Sequence, residues 1–149
     1  MLDMKVLLTK VLTAFAPSAW VQLYGTAFSA NNTASKVTGL TITHSDNYSE
    51  FFTIETNQIT IKKSGIYKVS ISWQLSASAN NTNVKRIALY KNGSQLNATL
   101  GRDNSYNDRS SFYLDTFAAG DVLTVYKRAE DNNSTFTYAR VLIETMRTD

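Results

Sequence analysis

The chain has no cysteine, a single proline (Pro17), a single histidine (His44) and only six glycines in 149 residues. Without cysteine, disulfide staples and thiolate metal sites are excluded, so stability has to come from packing or assembly. The one imidazole, His44, has no cysteine and no second histidine to join it in a metal site or dyad. No collagen repeat is present. Charge is sparse as well, at 18% of residues and a net +3. The cations are scattered, as at Lys36, Lys62, Lys85, Arg102, Lys127 and Arg147, with no basic run interleaved with aromatics. A nucleic-acid footprint is therefore not expected. The apolar run near the start is too short to span a membrane, so no membrane insertion is expected either.

What remains is globular. Hydrophobic residues make up 43%, and the length suits one domain with a substantial core. Residues 1–18 read differently from the rest. Met4, Leu7, Val11 and Ala14 follow the 3-4 spacing of a coiled-coil seam, and Pro17 ends the pattern. This predicts a short oligomerising helix over 1–18 ahead of a head domain over 19–149. A cleaved signal peptide, using Lys5, the apolar run and Ala14-x-Ala16, is the alternative.

From Trp20 onward the periodicity is that of strands alone. Tyr67, Val69, Ile71 and Trp73 alternate with Lys68, Ser70, Ser72 and Gln74, after a tight turn expected at Gly65 with a positive φ. Asn92-Gly93 is the strongest hairpin signal. Segments 21–30, 37–43, 51–54, 59–63, 66–77, 84–93, 95–100, 111–117, 121–129 and 135–146 complete the set, with no strongly helical interval. Short strands at regular spacing predict an all-β fold of about ten strands, a two-sheet antiparallel sandwich or jelly roll.

Four segments in order resemble one family. Ile59, Gly65, Tyr67, Val69 and Ile71 are similar to the signature of the globular heads of the complement recognition protein, a branch of the tumour necrosis factor-like jelly rolls. IALYKNGS with Asn92 and Gly93, AAGDVLTVY with Gly120 and Asp121, and STFTYARVLIE resemble later strands and turns of that family. Tyr138 and Arg140 depart from its closing strand. The resemblance implies a compact homotrimer. With its apolar leader, the chain looks most like a bacteriophage tail or fibre component. Such a head sits in the virion, contacts a neighbouring tail protein, and binds a host cell-surface glycan or protein. A secreted ligand or adhesin and a purely structural trimerising cap are the alternatives.

Side-chain pattern offers separate support for assembly. With Tyr113 and Phe117 inward, Phe112 and Leu114 point outward. With Ala139, Val141 and Ile143 inward, Phe136, Tyr138, Arg140 and Leu142 point outward. A strand apolar on both faces implies cover by another chain, unless a bulge turns one set inside. For receptor contact the candidate loops are Arg102, Asp103, Asn104, Tyr106, Asn107, Asp108 and Arg109, and second Asp46, Asn47 and Tyr48. Both offer rings for stacking and polar groups around them, and solvated turns are the plain alternative for each. No catalytic residues are assigned: nucleophile and phosphate-loop motifs are missing, and nothing pairs Asp103, Asp108 or Asp115 for glycoside chemistry. No cofactor or metal is expected. Calcium stays open around 101–108 and 130–133, where oxygen ligands are plentiful but lack loop periodicity.

Overall fold

The computed structural model describes residues 19–75, 84–101, 108–130 and 134–148. The expected helical seam of Met4, Leu7, Val11 and Ala14 lies outside them. Among the described residues eleven strands follow one another: β1 Trp20–Ala30, β2 Ser35–Lys36, β3 Thr41–Asp46, β4 Phe52–Glu55, β5 Gln58–Ile61, β6 Gly65–Leu75, β7 Lys85–Lys91, β8 Ser94–Gly101, β9 Arg109–Phe117, β10 Val122–Ala129 and β11 Ser134–Thr148. They form two antiparallel sheets, β3-β1-β11-β6-β9 and β4-β5-β10-β7-β8, with β2 added along β10.

The predicted alternation on β6 holds along its whole length. Gly65, Tyr67, Val69, Ile71, Trp73 and Leu75 are buried while the residues between them are half-buried. Tyr67 packs edge-on between Phe52 and Phe117, at 5.7 and 5.9 Å between ring centres, and its hydroxyl donates to the Lys63 carbonyl. The side chains of the two sheets meet here, which is the contact that holds a sandwich together.

Two local expectations are corrected. Gly65 is the first residue of β6, pairing with Phe117 and Thr148, whereas the left-handed glycines are Gly39, Gly93 and Gly120. Among the described residues there is also one helical turn, α1 Tyr48–Phe51, entered through Asn47 at φ 48°. It serves packing: Phe51 and Phe52 are consecutive yet both buried, which a pleated strand alone does not allow.

The Asn92-Gly93 hairpin is as expected, with φ of 50° and 83° between Lys91 and Ser94. It is also tied to the Gly120-Asp121 turn. Asn92 Nδ2 donates to Asp121 Oδ1 at 2.8 Å, Asn92 Oδ1 accepts from the Val122 amide at 2.9 Å, and Lys91 Nζ lies 2.9 Å from Asp121 Oδ2. The Ala118 amide donates to that same oxygen at 2.8 Å. Burial alone would raise the Asp121 carboxyl, but hydrogen bonds from Lys91, Asn92 and Ala118 and the lysine charge hold it below the usual carboxylate range. Two fold-marking turns thus lock into one polar cluster at one end of the sandwich.

Candidate functional site

The exposed face of the first sheet can be read row by row from its register. Gln22, Leu142, Ser70 and Phe112 lie side by side across β1, β11, β6 and β9. The neighbouring rows are Tyr24, Arg140, Ser72 and Ser110, and Trp20, Glu144, Lys68 and Leu114. Phe112 is 65% exposed, Leu114 54% and, at the end of β11, Met146 49%. Lys68 bridges this apolar edge to the polar rows, 3.3 Å from Glu144 and 5.9 Å from the Phe112 ring centre.

Phe136 does not belong to this face. It is fully buried, edge-on to Trp73 with 5.1 Å between ring centres. The register explains why: opposite β6 it shifts between Phe136 and Tyr138, so a bulge at Thr137 reverses which side chains point inward. Beyond the bulge, Tyr138, Arg140 and Leu142 stay on the outer side as expected, Arg140 exposed and the other two half-buried.

Those residues form a cluster that includes a partner missed in the sequence, Tyr24. The Tyr24 and Tyr138 rings stack at 5.8 Å, and the Arg140 guanidinium lies 6.0 and 5.8 Å from their centres. Tyr138 donates its hydroxyl to Asp108 Oδ1 at 2.7 Å, and Gln74 Nε2 donates to the same oxygen at 3.2 Å. Burial and the Asp108 hydrogen bond push the Tyr138 phenol up to about 12, so it remains a neutral donor. The four chain segments meet only through pairing across β1, β11, β6 and β9, which no local spacing announces.

Of the first candidate receptor loop, Asp108 and Arg109 are described: Asp108 is exposed beside Tyr138, and Arg109 opens β9. Arg102, Asp103, Asn104, Tyr106 and Asn107 lie outside the described residues. The second candidate is no open loop. Asp46 ends β3, Asn47 turns the chain and Tyr48 begins α1, with its side chain packed against the core. Asp115 accepts from the Tyr113 hydroxyl at 2.8 Å and the Thr116 amide at 2.7 Å, which lower its carboxyl. Among the described residues no three His, Asp or Glu side chains gather as a metal site requires.

No family model and no curated protein matches the chain. Solved structures do. The vertex protein P5 of the phage PRD1 superposes with a TM-score of 0.70 at 13% identity, covering 89% of this chain and 99% of that one. The fold is a TNF-like jelly roll. The globular domain of zebrafish complement 1qA gives 0.62 at 15% identity over 90% and 99%. Eiger TNF from S. frugiperda gives 0.55 at 12% identity over 89% and 95%. At such identities the shared feature of this TNF-like jelly roll and its neighbours is the fold.

Proposed function

We propose that the chain is a non-enzymatic, homotrimeric head domain of a phage virion that attaches to a host cell-surface glycan or protein. One observation carries the reading. Phe112, Leu114 and Met146 crowd the outer face of one sheet, where a solitary subunit leaves them wet. Covering side chains of this size contributes about 1.5–3 kcal/mol each, an assembly energy suited to a chain without disulfides. Tyr138, Arg140 and Leu142 extend the same face, and the likeness to a PRD1 vertex protein supports the virion setting.

Light scattering at micromolar concentration tests the assembly. Three subunits per particle are expected, and Phe112→Glu with Leu114→Glu should release folded monomers. A native chain that stays monomeric sinks the reading. Adsorption of the purified trimer to host cells tests attachment, and a trimer that adsorbs to no host surface reduces the role to a structural cap. The complement and TNF likenesses favour a secreted ligand as second reading. Loss of residues 1–16 in the mature protein, seen by mass spectrometry, would decide for it.

A further inference from the structure

A groove of about 530 Å³ lies beside the kinked end of β1, within the range of small-molecule sites. Its construction is unusual. Ala27 adopts φ 57°, a left-handed conformation unfavourable for a residue with a Cβ, and β1 loses its pairing with β11 there between Thr26 and Phe28. The kink reverses the inward side of β1, so Phe28 turns into the core and Thr26 and Ala27 are both exposed. Gly25 allows the closure: a Cβ there would meet the Phe28 ring at 2.5 Å and the Gly39 carbonyl oxygen at 3.0 Å.

The lining is polar, with hydroxyls from Thr26, Ser29, Thr38 and Thr41, the Tyr24 side chain along one wall, and Lys127. Lys127 is out of place. On β10 the inward positions are Leu123, Val125 and Ala129, all buried, and Lys127 occupies the slot between the last two. Its stem leaves the core past Phe28, whose ring centre lies 5.7 Å from the ammonium. Among the described residues it has no carboxylate partner. Burial lowers its pKa, so the free chain holds a cation that an anion would stabilise. Snorkelling past an aromatic explains the stem. It does not explain why a strained strand and four hydroxyl-bearing residues line the same groove as the lysine.

We propose that this groove binds an acidic saccharide, its carboxylate or phosphate held by Lys127 and its hydroxyls by Thr26, Ser29, Thr38 and Thr41. The inference names the ligand class of the receptor reading above and rests on that reading for its biological use. Polar lining selects a polyhydroxylated ligand, and the groove's one charged side chain selects an anion. Three copies would present three grooves, so weak single-site affinity could still yield firm attachment.

The test is NMR titration of the intact protein with a glucuronate-containing disaccharide, glucose 6-phosphate, neutral lactose, and sodium phosphate alone. Shifts are expected at Tyr24, Thr38 and Thr41 for one or both acidic sugars, at least about tenfold tighter than for lactose. The carboxylate and phosphate arms say which acid is preferred. Lys127→Met should erase the acidic preference, and Lys127→Arg should retain it. Equal binding of lactose, an equal response to phosphate alone, indifference to Lys127→Met, or no groove shifts at all would each overturn the proposal. A trimer that adsorbs to cells without groove shifts removes this inference and leaves the head-domain reading intact. Groove shifts in a chain that adsorbs to no cell keep the saccharide site and remove only the attachment reading.

Discussion

The outer faces of the two sheets carry the same aromatic device in different company. On the second sheet Tyr90 and Tyr126 face each other at 4.3 Å between ring centres, among Thr60, Thr124, Arg86 and Ala88. On the first, Tyr24 and Tyr138 stack beside Arg140, separated by β6 from exposed Phe112 and Leu114 on β9. All the large exposed apolar side chains among the described residues, Ile42, Phe112, Leu114 and Met146, belong to the first sheet. A tyrosine pair therefore says little about whether a face is wet, because each ring keeps a polar tip for water. The untipped residues around it say more. Among the described residues the second sheet needs no cover from outside, and on the proposed reading the first is finished by another chain.

The largest effect expected concerns which side chains belong to the outer face of the first sheet. Plain alternation puts Phe136 there with Phe112, whereas the Thr137 bulge puts it under Trp73. Phe136→Ala should cost about 3–5 kcal/mol in denaturant unfolding, because it opens a cavity in a packed core. Phe112→Ala, measured in a monomeric background, should stay within about 0.5 kcal/mol of the parent. Equal costs at the two positions would mean that the bulge is misplaced and that the first face is less distinct than it looks.

That pair also marks where sequence reading succeeds and fails. Strand existence was legible because β6 and β9 repeat with a period of two over many residues, so a single register fits. Phe112 and Leu114 followed from it directly. Phe136 did not, since a bulge is a one-residue insertion relative to a partner strand, and the partner is distant in sequence. The same applies to Ala27, where nothing local signals a kink. Tyr24 joined its cluster only through cross-strand pairing. Lys127 is readable in principle: in VLTVYKRA it falls on the inward phase set by Leu123 and Val125, a breach of the apolar pattern. The α1 turn had its own signal in the adjacent Phe51 and Phe52, which no single strand can bury on one side.

A middle-sized effect should show how the second sheet manages alone. Its turn end is closed by Asp121, which accepts from Asn92 and Ala118 and pairs with Lys91. Asp121→Asn would turn an amide donor toward other donors and should cost about 2 kcal/mol at neutral pH. The pH dependence has a definite sign. A carboxyl held below its unfolded value, about 3.9, contributes fully above that value and loses its contribution as pH falls through the folded one. The parent should therefore lose stability on acidification below about pH 4, and the variant should lose less. Parallel acid limbs for the two proteins would show that the lock does not hold this end together.

The smallest effect goes to the heart of the contrast, because it uses the device both faces share. A double-mutant cycle on Tyr90 and Tyr126 should return a coupling of about 0.5–1.5 kcal/mol, the usual range for an aromatic pair. The coupling should be independent of protein concentration, since both rings are satisfied within one subunit. The same cycle on Tyr24 and Tyr138 mixes ring stacking with subunit association, because Tyr138 also orients Asp108 and Arg140 on the exposed face. Association makes apparent stability depend on protomer concentration. The first-face coupling should accordingly drift as the protein is diluted through the range where the assembly dissociates. If it stayed as constant as the Tyr90–Tyr126 value, the two faces would be energetically alike, and the exposed apolar residues would be ornaments of a monomer rather than half of a contact.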